Sequence, residues 1–361
     1  MGSVRELLTR SPVTVSAPCR VDMGGTWDIK ALALPLERKI PATVNMALTL
    51  RTSVTLLPHD DGQVKIFSRG FSHTESAAAD QLPFDSPFGL FFAAVSYFGF
   101  HGLEVKIDSQ SPVKSALGGS STALVALLGA LREVADLQDH RTLSRKDLLH
   151  LAYHLEDGIG GGNCGIQDQA AAVYGGVHLW KWHFGHRAEP LTRTSLLSGE
   201  GLEALSNHIL VAYSGKSHVA AQTNGQWVND FLSGKTRSGW IKANGAVHSF
   251  ARAVQGGDWH QAAFFLREEM ALRREITPEA LDDVTETLVA AAETAGCGGR
   301  FAGAGAGGSV WALGGEANIR ALGRKWRELL MPIRDAQILD AGIDSSGLRR
   351  DAQANPQGAF N

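Results

Sequence analysis

Cysteine is scarce in this chain of 361 residues: Cys19, Cys164 and Cys297 stand far apart and are odd in number. They supply no disulfide framework and no metal-ligand spacing. Long apolar runs are missing too. The stretch from Phe88 to Phe100 is short of the roughly 20 residues that a bilayer span needs. No sign of charge dominates, since 34 Lys and Arg face 37 Asp and Glu, and no basic block stands out. Nucleic acid and membrane are therefore poor partners. Arg5, Glu6 and Arg10 interrupt any apolar leader segment, so a cytoplasmic location is expected. No Gly-Lys-Ser/Thr follows a glycine run, which excludes a Walker P-loop.

What is present is glycine placed before helices. Leu117-Gly118-Gly119-Ser120-Ser121-Thr122-Ala123 leads into a small, apolar run from Leu124 to Leu131. Small residues let a backbone pass close to a ligand. The N–H groups of a first helical turn lack internal partners and lie at the positive end of the dipole. Two hydroxyls there add donors, or a ligand for Mg²⁺. This pattern predicts a phosphorylated ligand, most simply a nucleotide. The same residues also fit a Ser-capped helix after a glycine turn.

The length suits two domains. Mixed strands and helices in both halves predict an α+β fold. A polar span at 185–206, containing Pro190, places the boundary so that residues 1–200 form the first domain and 201–361 the second. Alternation predicts strands at 13–21, 42–57, 63–68, 103–109 and 177–182, with further strands at 209–213, 309–313 and 337–341. Helices are expected at 87–100, 143–155, 169–174, 219–232, 237–255, 258–273, 278–295 and 317–330. Residues 72–86 read as a loop, and the tail from Arg349, which contains Pro356, reads as frayed.

Three further stretches carry candidate chemistry. Gly160-Gly161-Gly162-Asn163-Cys164-Gly165-Ile166-Gln167-Asp168-Gln169 ends at the start of a helix. Asp168 there is either an N-cap or a carboxylate that aligns a substrate hydroxyl and accepts its proton. Glu156 closes the preceding helix, where the dipole disfavours an anion, so a nearby cation such as Mg²⁺ fits as well as solvent. Gly303-Ala304-Gly305-Ala306-Gly307-Gly308 matches G-x-G-x-x-G in form. The expected helix-before, strand-after context rules out the dinucleotide reading and leaves a close approach to a phosphate or to the other domain. In Arg20-Val21-Asp22-Met23-Gly24-Gly25-Thr26-Trp27-Asp28, Asp28 suits sugar hydroxyls, and Arg20 is placed to pair with a carboxylate such as Asp168. A surface turn with a stray ion pair is the plain alternative. His154 and His218 read as ordinary polar side chains.

These stretches occur in the order of the GHMP sugar-kinase superfamily, which the chain resembles from Ala17 to about Leu313. Ala17-Pro18-Cys19-Arg20-Val21-Asp22 with Gly24 to Asp28 resembles the N-terminal sugar-binding motif. Leu117 to Ala123 resembles the central phosphate loop, and Gly303 to Gly308 the C-terminal glycine loop. Gly165-Ile166-Gln167-Asp168-Gln169, Tyr174-Gly175-Gly176 and Tyr213-Ser214-Gly215-Lys216-Ser217 are most similar to the heptose-phosphate kinase and fucokinase branch. The resemblance implies a ribosomal protein S5-like N-terminal domain and a ferredoxin-like C-terminal domain, with ATP and sugar in the cleft between them.

Residue by residue, the resemblance implies that Asp168 is the catalytic aspartate, with Arg20 as its partner. Leu117, Gly118, Gly119, Ser120, Ser121 and Thr122 bind ATP. Ser120, with Ser121 as the neighbouring possibility, and Glu156 hold Mg²⁺. Thr26, Asp28, Gly165 and Asp168 bind sugar, and Gly303, Gly305 and Gly307 support the phosphate site. The chain departs from the family pattern at Ala116 and Gly119, at Pro112-Val113-Lys114-Ser115, and in having one residue fewer between Arg20 and Asp28. The expected reaction is ATP- and Mg²⁺-dependent phosphorylation of an anomeric hydroxyl, with D-glycero-D-manno-heptose 7-phosphate first and fucose, galactose or another aldose second. Lys216, Arg187 and Arg193 are the candidate cations for a substrate phosphate. A non-catalytic ATP/sugar sensor and an isoprenoid-type kinase are the other readings, and the expected assembly is a monomer or homodimer.

Overall fold

A computed structural model describes residues 3–70, 74–138, 142–217 and 220–351, with the side chains of 220–223 left out. His218 and Pro356 lie outside the described residues. The strands are β1 (Val13–Met23), β2 (Ala42–Pro58), β3 (Gln63–Ser68), β4 (Thr74–Ala78), β5 (Leu103–Ser109), β6 (Val177–Trp182), β7 (Leu191–Ser195), β8 (Ile209–Tyr213), β9 (Gly298–Phe301), β10 (Ser309–Leu313), β11 (Gln337–Leu339) and β12 (Arg349–Arg350). The helices are α1 (Val4–Arg10), α2 (Lys30–Ala33), α3 (Gly89–Phe98), α4 (Gly119–Asp136), α5 (Arg145–Ile159), α6 (Gln167–Tyr174), α7 (Glu200–Ser206), α8 (Ala220–Leu232), α9 (Arg237–Gln255), α10 (Trp259–Ile276), α11 (Asp283–Thr294) and α12 (Glu316–Leu330). Among the described residues, no helix is long and apolar enough to cross a membrane.

Two sheets organise the chain. The larger runs β12-β1-β2-β5-β3-β4, and the first half of β2 also pairs with β6, which continues to β7. Its pairings are antiparallel except for β3 with β5. The smaller sheet has the order β11-β8-β10-β9 and is antiparallel throughout. Apolar α4 lies on the larger sheet, burying Leu124, Leu127, Leu128 and Leu131. It approaches so closely that a Cβ on Gly129 would meet Val15 and Leu348 at 2.9 Å. The halves are joined through α9. Asn244 accepts a hydrogen bond from Ala42 N at 3.0 Å and donates to Lys39 O at 2.9 Å, and Val247 packs on Gly24.

Several expectations are corrected. The span read as loop holds edge strand β4, and the polar span at 185–206 holds β7 and α7. These are short edge elements whose exposed faces carry no apolar period. The third glycine run follows a strand, β9, rather than a helix. Gly298 and Gly299 are there because α10 and α11 press on the strand: a Cβ would come within 2.6 Å of Ala263 O and 2.9 Å of Ala292 Cβ. The loop still enters a hairpin, not a helix, so the dinucleotide reading fails as expected. The tail does not fray at once. Arg349–Arg350 pairs with β1, and buried Arg51 straps it down by an ion pair to Asp344 and a 2.7 Å bond to Gly347 O.

Candidate active site

Arg20 sits where β1 leaves regular register with β2, after a bulge between Pro18 and Arg20. It is only 4% exposed, which disposes of the surface-turn alternative. Its Nε donates to Asp168 Oδ1 at 2.7 Å, and its Nη1 donates to Ala116 O at 2.8 Å. Burial works against the guanidinium charge, but Asp168 and Asp22 outweigh it and shift Arg20 upward, so it is held as a cation. Asp168 lies in the first turn of α6, but Ile166 occupies the N-cap position, with no side-chain cap bond. The capping alternative is therefore excluded, and the carboxylate is turned to Arg20 and the cleft.

The loop before α4 is bent by left-handed residues: Lys114 (φ 56°), Ala116 (φ 62°) and Gly118 (φ 78°). The alanine and lysine keep a backbone shape that glycine adopts freely, at a cost of roughly 1 kcal/mol each. At Gly118 a Cβ would stand 3.1 Å from Asp168 Oδ2. That glycine lets the helix N-terminus and the aspartate face each other. Of the predicted loop, Gly118, Gly119, Ser120 and Ser121 line the cleft. Leu117 is buried in a hydrophobic cluster instead, and the Thr122 hydroxyl is used on Gly118 O at 2.8 Å. Both therefore support the loop from behind.

Glu156 is in the last turn of α5. Gln169 Nε2 donates to it at 2.6 Å, and the Ser121 side chain lies near enough to favour its charged form. Ser120 is exposed, whereas Ser121 is buried. Burial pushes the Glu156 carboxyl up to about 7, with help from the Asp168 charge and against the Ser121 and Gln169 bonds. Among the described residues, no cluster of three or more His, Cys, Asp and Glu would cage a metal alone. A cation that keeps waters and shares phosphate oxygens needs no such cage. Glu156 and Ser121, both on the cleft wall, are oxygen donors that fit Mg²⁺.

On the acceptor side, Asp28 is 2% exposed and receives N–H bonds from Thr26 (2.9 Å) and Gln167 (3.0 Å). Burial raises its carboxyl to about 6, and the Gln167 bond opposes this. Gly165 is required beside it, since a Cβ would fall 1.9 Å from Asp28 Oδ2. Thr26, Asp28, Gly165, Asp168, Glu156 and Gly303 all face one cleft of about 650 Å³. The third glycine loop touches the first domain at Gly303, which also lines the cleft, while Gly305 and Gly307 pack within the second domain. Gly303 meets Ala116 O and Arg20, Gly305 meets Ala280 O, and Gly307 meets Ser217 O.

Some cleft residues escaped sequence reasoning. Asn224 reaches it from α8, and Ser68, Phe91 and Val113 line its other end. Of these only Val113 falls in a stretch already singled out for the site, and long-range packing assembles them. Of the proposed phosphate cations, Lys216 pairs with Asp282 at 3.1 Å, Arg193 stacks over Tyr174 at 4.0 Å, and Arg187 is exposed. None of the three lines the cleft.

Comparison with known proteins agrees with this geometry. Residues 89–176 match the model of the GHMP kinases N terminal domain. A mevalonate kinase from Thermococcus gammatolerans is 26% identical over 300 residues, covering 75% of this chain and 82% of the relative. A D-glycero-alpha-D-manno-heptose 7-phosphate kinase from Campylobacter jejuni is 28% identical, covering 53% of this chain and 57% of the relative. For several other mevalonate kinases the aligned part is about half of their length. The crystal structure of a D-glycero-D-manno-heptose 1-phosphate kinase from Bacteroides thetaiotaomicron superposes with a TM-score of 0.70 at 17% identity, over 95% of this chain and 100% of that one. The chain is thus similar to GHMP kinases in part of its sequence and in its fold. The family match spans residues 89–176, and the fold is shared over 95% of this chain.

Proposed function

We propose that the protein transfers the γ-phosphoryl group of ATP, with Mg²⁺, to the anomeric hydroxyl of a sugar or sugar phosphate. The observation that carries this reading is Asp168. Its side chain is 24% exposed to the cleft, it is paired to Arg20 at 2.7 Å, and it faces the N-terminus of α4 across Gly118. The first-turn N–H groups and the Ser120 and Ser121 hydroxyls hold the phosphates. Asp28 and Thr26 orient the acceptor, and Asp168 accepts the hydroxyl proton as the oxygen attacks. Glu156 and Ser121 would hold Mg²⁺, with Ser120 left to the phosphates. When bound, the ion neutralises charge between the β- and γ-phosphates.

The leading acceptor is D-glycero-D-manno-heptose 7-phosphate, supported by the Gly165 to Gln169 segment and by the Campylobacter relative. A free aldose such as fucose or galactose is the second reading, and one observation favours it. Among the described residues, the cations lining the cleft are Arg20, Arg69 and Lys114. Arg20 is spent on Asp168 and Arg69 pairs with Asp108 at 3.3 Å, so of the three only Lys114 is left for a substrate phosphate. The proposal includes a cytoplasmic monomer or homodimer without nucleic-acid or membrane partners. Its two domains meet near residue 200, with the tail strand β12 returned to the first.

The test is ADP release with MgATP across aldoses and aldose phosphates, including heptose 7-phosphate. One strong responder is expected, and silence with ATP still bound would favour the sensor. Asp168→Asn should lower kcat by about 10²–10⁴-fold with the fold intact, and near-normal turnover would remove the base assignment.

A further inference from the structure

The Arg20–Asp168 pair is one end of a longer buried chain of charges. Residues two apart on a strand share a face, and Asp22 follows Arg20 on β1 with no exposure at all. It stands between two guanidiniums: its Oδ1 is 3.6 Å from Arg20 Nη1, and its Oδ2 is 3.1 Å from Arg300 Nη1. Two backbone groups also donate to it, Gly303 N at 2.9 Å and Gly25 N at 3.2 Å. Arg300, on β9 of the smaller sheet, donates through Nε to Glu269 Oε2 of α10 at 2.9 Å. Arg300 and Glu269 are fully buried as well.

Such groups are tolerated only while each stays paired. Neutralising Asp22 would leave Arg20 and Arg300 as like charges with their shared counter-ion removed. The guanidinium is also a rigid planar fork. Holding Nη1 between Asp22 and Ala116 O therefore fixes the direction in which Nε points, and Nε is the atom on Asp168.

We propose that Asp22 is a positioning residue for phosphoryl transfer, orienting Arg20 toward Asp168 while Arg300 and Glu269 hold Asp22 from the smaller sheet. The role in transfer rests on the kinase reading above, whereas the orientation of Arg20 does not. By this arrangement the second half of the chain, which supplies neither Asp168 nor Arg20, governs how they meet.

The test is Asp22→Asn with two readouts. In steady-state kinetics with MgATP and the responding acceptor, kcat should fall by about tenfold or more while both KM values stay within about twofold, as expected of misplacement without loss of binding. In ¹⁵N-arginine NMR, the Arg20 Nε–H signal, identified by its loss in Arg20→Lys, should exchange with water about tenfold faster than in wild type. Unchanged kcat per folded molecule, or a loss expressed wholly in KM, overturns the role in transfer. Unchanged Nε–H protection overturns the orientation itself. Should Asp22→Asn not fold, Glu269→Gln frees Arg300 to draw Asp22 away from Arg20, and both readouts should move in the same direction to a lesser degree. No movement in that variant is equally fatal. If wild type transfers phosphate to no acceptor, the kinase reading fails, and the NMR readout still decides whether Asp22 sets Arg20.

Discussion

Replacing Glu156 by Gln should stabilise the ligand-free protein near pH 8 while impairing Mg²⁺-dependent turnover. The half-buried carboxyl is carried from 4.5 to about 7 by desolvation first and by the Asp168 charge second, against the Ser121 and Gln169 side chains. That displacement corresponds to about 3 kcal/mol as an upper bound. The fold favours the protonated form, so the stabilisation from this group is complete below its unfolded value and is lost as pH rises through about 7. Gln mimics the protonated acid and does not titrate. The variant should therefore exceed wild type by about 1 kcal/mol near pH 5.5 and about 3 kcal/mol near pH 8. Asp28, also raised, titrates in both proteins and cancels in the difference. Urea unfolding in EDTA at the two pH values measures the gap. Added Mg²⁺ with nucleotide should narrow it by stabilising wild type selectively. An equal gap at both pH values, or a variant less stable near pH 8, would refute the argument.

Other substitutions probe the cleft and its supports. Gly165→Ala places a methyl group 1.9 Å from Asp28 Oδ2, so it should displace that carboxylate and raise the acceptor KM by about tenfold with little effect on ATP binding, checked by initial rates at saturating MgATP. Asp344→Ala strands the buried Arg51 charge and should lower stability by about 3 kcal/mol, read from urea midpoints. An unchanged midpoint would show that the Gly347 and Ser16 carbonyls suffice for Arg51.

The sequence by itself determined what short range controls. Small residues before an apolar run mark the loop and α4, alternation marks β1, β2, β5 and β6, and a short apolar run marks β8, each within a few residues. Arg20, Asp28, Glu156 and Asp168 stand out because glycine turns deliver them, and all four do converge on one cleft. The edge elements β4, β7 and α7 escaped because their exposed faces carry no period. So did β9, whose glycines are set by helices packed from outside.

Only the tertiary structure decided which of two adjacent serines faces Glu156. One residue on a helix turns the side chain by about 100°, and it is the packing of α4 against α5 and α6 that selects Ser121. The third glycine loop could meet a phosphate or the other domain, and the fold places Gly303 both against Ala116 of the first domain and on the cleft wall. Glu269 and Arg300 carried no local signal, and Asp22 was only one letter of a motif, since their meaning lies in pairings 31 and 278 residues apart. A buried charge is explained by its partner, and the partner becomes visible only when the two sheets come together.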